Sequence, residues 1–153
     1  MQRVPLLGTC GGFQHLIVEF LRNVVGVADA DHEETSPDAP HLAVTALQCS
    51  LAGQVHRVRL VRGARARAIY DAEEVREPFY CNYGLNPEYR SLLEPHGLRV
   101  SGVGDGDEAR VVELSGLRAA GAAGGRLIPC VDPGAGERRR TVCARRLVAT
   151  RST

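Results

Sequence analysis

The chain has 153 residues, 44% of them hydrophobic, and a formal net charge of +1. That is enough for one domain with a modest core, it is too apolar for a disordered chain, and no apolar run is long enough to span a bilayer. Five widely spaced cysteines with no C-x-x-C pair argue against a zinc site or a disulfide framework and fit reduced thiols in the cytoplasm.

Residues 3–8, "RVPLLG", are a short apolar run that ends in glycine before a helical pattern, which reads as a buried parallel strand. Phe13, Leu16, Ile17, Phe20, Leu21, Val24 and Val25 then follow helical spacing and predict one apolar stripe closed by Gly26. Residues 29–41 read as a polar loop with two prolines, and residues 42–48 and 55–61 as strands. "ARARAIYDAEEV" supplies a short helix, and "PFYCNYGL" (78–85) an aromatic strand. In "NPEYRSLLEPHG" (86–97), Asn86 is an N-cap, Pro87 takes the first helical position and Gly97 the C-cap, so a helix is expected. "LRVSGV" and "ARVVEL" flank "GDGD" as a hairpin.

The charge is uneven along this order. Residues 1–116 hold 11 Arg against 16 Asp plus Glu, or −5, and residues 117–153 hold 8 against 2, or +6. The chain contains no lysine. Two domains of unlike character are expected: 1–116, and an Arg/Ala/Gly-rich, poorly ordered tail over 117–153. Two readings of the tail stand side by side. It is the translation of another frame in a G/C-rich gene, or it is a basic arm for nucleic acid. The first is preferred, because the arginines of "ERRRTVCARR" have no aromatic residues between them.

The chemistry concentrates in Gly8-Thr9-Cys10-Gly11-Gly12. A strand-turn-helix of this form matches the nucleophile elbow G-x-nucleophile-x-G, with cysteine in place of serine. Small neighbours spare a strained nucleophile from clashes, the Gly11 N–H can meet a developing oxyanion, and a helix N-terminus favours the thiolate. The plainer reading is a buried, inert cysteine.

"VPLLGTCGGFQHLIVEFLRNVVGVADADHEE", "YCNYGLNPEYRSLLEPHGLRVSGV" and "ARVVEL" together resemble the class I glutamine amidotransferase domain of CTP synthase, in order and approximate spacing over residues 2–115. The resemblance is greatest to stand-alone proteins related to that enzyme's C-terminal region. It implies an α/β, flavodoxin-like fold, here without the family's N-terminal strands and its usual last strand and helix. It implies Cys10 as the nucleophile toward a glutamine side-chain amide. It also implies Gly11, Gly12 and Gln14 in the glutamine pocket, and Glu34 at the substrate amino group. The plainer reading of Glu34 is a solvated loop carboxylate. No cofactor is implied: ATP and UTP belong to a synthetase half with no counterpart here. The expected partners are a small-molecule amide and a second chain that completes the domain; neither membrane nor nucleic acid is expected.

Two departures bear on activity. Asn82 precedes Tyr83 where the family has an arginine for the substrate carboxylate, and a neutral amide cannot replace a bidentate guanidinium. No histidine follows His96, so the family's H-P-E segment has no counterpart. Impaired hydrolysis is therefore expected. Cys81 is either a packed strand residue or, if it lies near Cys10, half of a redox pair.

Overall fold

The computed structural model describes residues 8–48 and 50–114. The strand expected over 3–8, apart from Gly8, and the whole 117–153 tail lie outside the described residues. Two sheets and three short helical regions make up a mixed α/β fold. Helix α1 (Gly11–Phe20) continues into a π turn (Leu21–Val25) that ends on Gly26 at φ 91°. Strands β1 (Ala30–His32), β2 (His41–Ala46) and β5 (Tyr83–Leu85) form one sheet, in which β1 runs parallel to β2 and β5 antiparallel to it. Strands β3 (Gln54–Leu60), β4 (Glu74–Phe79), β6 (Leu98–Val103) and β7 (Ala109–Leu114) form the second, all-antiparallel sheet, in the order β4-β3-β6-β7. Helix α2 (Arg65–Tyr70) lies between β3 and β4 in the chain. Among the described residues no helix is long and apolar enough to cross a membrane.

The core explains these choices. Phe13, Ile17, Val18, Phe20 and Leu21 bury the inner face of α1 against Ala30, Val44, Leu85, Leu98 and Val112. Val24, expected on that stripe, is 51% exposed. The wider i→i+5 turn over Leu21–Val25 rotates it off the buried face. A second cluster of Leu51, Val58, Leu60, Ala66, Phe79 and Val111 lies on the other side of β7. Adjacent residues Val111 and Val112 thus enter different clusters, in keeping with the near-continuous burial along β6 and β7.

Four expectations change. The 29–41 loop contains β1, whose three residues "ADH" carry no strand signal and are held by pairing with β2. Glu74–Phe79 is strand from its start, so the helix of "ARARAIYDAEEV" ends at Tyr70, with Asp71 left-handed at φ 53°. Residues 78–85 are two strands in different sheets, separated at Tyr80–Asn82. Residues 87–96 are one α turn (α3, Arg90–Leu93) between two 3-10 turns. Their caps are as expected: Asn86 Oδ1 accepts the Glu88 N–H at 3.1 Å and Gly97 stands at φ 97°.

Candidate active site

Cys10 sits at the N-cap of α1 with φ 49° and ψ −119°. This is a sparsely populated conformation for a residue with a Cβ, of the kind retained where the surrounding structure over-determines it. Its carbonyl accepts the N–H groups of Phe13 and Gln14 at 3.0 and 3.1 Å, and Gly12 N–H donates to Thr9 O at 2.8 Å. These bonds lock the turn. The Gly11 N–H donates to nothing among the described residues and stays available.

The glycines divide by function. A Cβ on Gly8 would lie 2.8 Å from the Gly12 carbonyl oxygen, so glycine is required there by the close approach of the turn to the helix. A Cβ on Gly11 or Gly12 would meet no described atom within 4 Å. Gly8 thus avoids a clash, while beside Gly12 no described atom lies within 4 Å of an added Cβ.

Gln14, one turn further along α1, is 7% exposed. Its Nε2 donates to Tyr83 O at 3.1 Å, and its Oε1 lies 3.1 Å from His32 Nε2. The Glu34 N–H donates to His32 Nδ1 at 3.1 Å, so the proton of the neutral ring is on Nε2 and is donated to Gln14. One chain of bonds therefore ties α1 to β1 and β5. Glu34 itself is exposed and hydrogen-bonds to this chain through its backbone N–H. His15 is exposed as well, with its ring centroid 6.1 Å from that of His32.

Burial pushes the His32 imidazole below the ordinary histidine range. The carboxylates of Glu34, Asp31 and Glu33 pull the other way, and His15 adds to the depression. A group with a depressed folded-state pKa binds fewer protons folded than unfolded, so its stabilisation is complete above the unfolded value of about 6.5 and is lost as pH falls below it. Urea midpoints measured from about pH 8 down to pH 5 are expected to fall more for the parent than for His32→Asn. Parallel curves would show that His32 does not titrate on unfolding.

Cys81 lies in the crossing between β4 and β5, 6% exposed. Its thiol donates to Cys10 Sγ at 3.2 Å. Cys10 is half-buried, so one residue of the pair is partly exposed and the other is covered. Asn82 accepts the Ser50 hydroxyl at 2.6 Å through its side chain and the Leu47 N–H at 2.8 Å through its carbonyl. The position expected to be an arginine thus serves as a loop tie.

Among the described residues no group of three or more His, Cys, Asp or Glu side chains is arranged for a metal ion. An open groove beside α2 is lined by Arg65, Arg67, Arg99, Glu73 and Glu113, with none of its lining from the elbow. Several of its charges are engaged internally. Glu113 accepts the N–H groups of Arg65 and Ala66, Arg67 pairs with Glu73, and Arg99 donates to Arg62 O.

No protein-family model matches the chain. In sequence it is 38% identical over 123 residues to the CTP synthase of Carboxydothermus hydrogenoformans, a stretch that is 74% of this chain and 23% of that protein. It is 37% identical over 120 residues to the CTP synthase of Sulfurisphaera tokodaii, with 72% and 23% covered. To that of Treponema pallidum it is 40% identical over 111 residues, with 67% and 19% covered. The chain thus spans about a quarter of the length of these relatives or less. In structure it matches the glutaminase domain of Trypanosoma brucei CTPS with bound acivicin at a TM-score of 0.75 and 23% identity, over 94% of this chain and 61% of that one.

The fold is therefore that of a glutamine amidotransferase-type α/β domain. Within that class, the chain is related to the glutaminase domain of CTP synthases.

Proposed function

We propose that this chain is a glutamine amidotransferase-like domain in which the Cys10 thiolate attacks a carboxamide carbonyl. The carbon–sulfur bond forms as the carbonyl π pair moves onto oxygen, where the Gly11 N–H donates to it. The amide nitrogen takes up a proton from water, collapse then breaks the carbon–nitrogen bond, expels ammonia and leaves a thioester, and the resulting hydroxide attacks the thioester to release the acid and restore the Cys10 thiolate. The observation that carries this reading is the strained Cys10 backbone at a locked turn, with an uncommitted N–H beside it and open space over Gly11 and Gly12.

Glutamine or an analogue is the substrate class, Glu34 contributes a carboxylate for its amino group, and Gln14 holds the pocket wall in place. The domain occupies residues 1–116 of a cytoplasmic protein. Hydrolysis is slow: the sequence supplies no histidine after His96, and without a general acid the leaving amine is protonated inefficiently.

Acivicin, an electrophilic glutamine analogue, tests nucleophile and pocket without needing turnover. It is expected to add covalently to Cys10 in the tryptic peptide 4–22, with no adduct in Cys10→Ala. Glutamate release from glutamine is expected to be slow in the parent and lost in the same variant. An adduct only on other cysteines, or none in the folded protein, overturns the proposal.

A further inference from the structure

We propose that Cys10 and Cys81 are a dithiol–disulfide couple, oxidised by hydroperoxides, in which Cys10 takes the first oxidation and Cys81 resolves it. The proposal goes beyond the hydrolytic reading and does not depend on it: it requires only two sulfurs in contact, not a substrate pocket.

Three observations carry it. The two Sγ atoms are 3.2 Å apart although 71 residues separate them in the chain. A disulfide bond is about 2.05 Å long, so closure takes roughly 1.2 Å of sulfur movement. The exposures are complementary, with Cys10 half-buried and Cys81 6% exposed. A dissolved oxidant therefore reaches Cys10 first, and Cys81 waits behind it. Finally, Cys81 lies at Tyr80–Asn82, outside both flanking strands. The backbone that must yield is not committed to a ladder.

The contact fits these roles. With the two sulfurs 3.2 Å apart, the Cys81 S–H is within reach of Cys10, and a donor toward a sulfur favours its thiolate form, the form that attacks oxidants. In the first step the Cys10 thiolate attacks one oxygen of hydrogen peroxide. The O–O bond breaks, hydroxide leaves, and Cys10 becomes a sulfenic acid. In the second step the Cys81 sulfur, giving up its proton, attacks the Cys10 sulfur and expels the hydroxyl group as water. Summed, two thiols and one hydrogen peroxide give one disulfide and two waters. A reducing thiol reverses it by exchange. While the bond stands, Cys10 can neither attack a carbonyl nor be carried on to the sulfinic acid, so the couple shields the elbow from irreversible oxidation.

The test uses the full chain, reduced, desalted and exposed to a small molar excess of hydrogen peroxide, then trapped with iodoacetamide and digested with trypsin. The expected principal product links peptide 4–22 to peptide 77–90 and disappears on treatment with dithiothreitol. In Cys81→Ala, conversion of Cys10 to the sulfinic acid is expected to rise several-fold. A link from Cys10 to Cys49, Cys130 or Cys143, or equal over-oxidation in parent and variant, overturns the proposal.

A second measurement needs no variant. Phenylarsine oxide condenses with two adjacent thiols and loses one water. It is expected to protect Cys10 and Cys81 together from alkylation, and alkylation of both at the unprotected rate overturns the pairing. Acivicin labelling of the same reduced batch separates the two readings: a chain that forms the disulfide but takes no acivicin keeps the couple and loses the hydrolase.

Discussion

Cys10→Gly is expected to yield a protein more stable than its parent and inert at the elbow. At φ 49° and ψ −119°, a residue with a Cβ holds a conformation that costs about 1–3 kcal/mol. Glycine adopts it without that penalty but loses about 0.5–1 kcal/mol more backbone entropy on folding. The net gain is about 0.5–2 kcal/mol, a sizeable share of a total near 5–15 kcal/mol. Cys10→Ala is the control, since alanine keeps the Cβ and the strain; it is expected to gain nothing. Both variants remove the sulfur, so acivicin labelling and glutamate release fall by roughly a thousandfold or more, the scale of nucleophile deletions elsewhere. Urea denaturation at one pH compares the three proteins. Equal stability of the glycine and alanine variants would mean that the turn stores no strain, and the elbow would lose its main physical support.

This strain also shows what the sequence could convey. The form G-x-C-x-G marks a tight turn into a helix, and the helix after it follows from the spacing of Phe13, Ile17, Phe20 and Leu21. The caps at Asn86 and Gly97 were legible for the same reason: each satisfies backbone groups within a few residues of itself. Features that depend on distant partners were not. Strand β1 exists because β2 lies beside it. "PFYCNYGL" reads as one strand because each half has strand composition, yet Phe79 enters one cluster and Leu85 the other.

The site shows the same division. Cys10 could be named from its neighbours. That Cys81 touches it depends on closing a loop of 71 residues, which no local pattern encodes. Gln14 is singled out in the sequence only through the resemblance. Its bonds to Tyr83 and His32 required a tertiary structure, and so did the part of His32. The available signal was compositional: two neutral polar residues, one on an apolar helix face and one in an acidic loop, each needing a buried partner.

Phe79→Ala is expected to be the most destabilising of these substitutions, at about 3–5 kcal/mol, the usual range for removing a buried phenylalanine. Phe79 is 2% exposed in the cluster of Leu51, Val58, Leu60, Ala66 and Val111, so truncation leaves a cavity bounded by sheet and helix. The ring also serves two polar neighbours. The Arg110 guanidinium, on a residue only 7% exposed, sits 5.3 Å from its centroid, and the His56 ring meets it edge-on at 6.2 Å. Losing the π face takes from Arg110 a contact worth about 0.5–2 kcal/mol. Phe79→Leu refills most of the volume without the π face and is expected to fall between parent and alanine, so the pair separates cavity from cation–π. The consequence reaches the thiols. Phe79 O accepts the Gly53 N–H at 2.8 Å, and the ring anchors the end of β4 two residues before Cys81. With the ring gone, the β4 end of the crossing at Tyr80–Asn82 keeps only its backbone bonds, and Cys81 is expected to react with iodoacetamide in the absence of denaturant faster than it does in the parent. Denaturant midpoints and alkylation rates together decide it: a loss below about 1 kcal/mol with Cys81 still protected would place the anchor of the thiol pair elsewhere than in the second core.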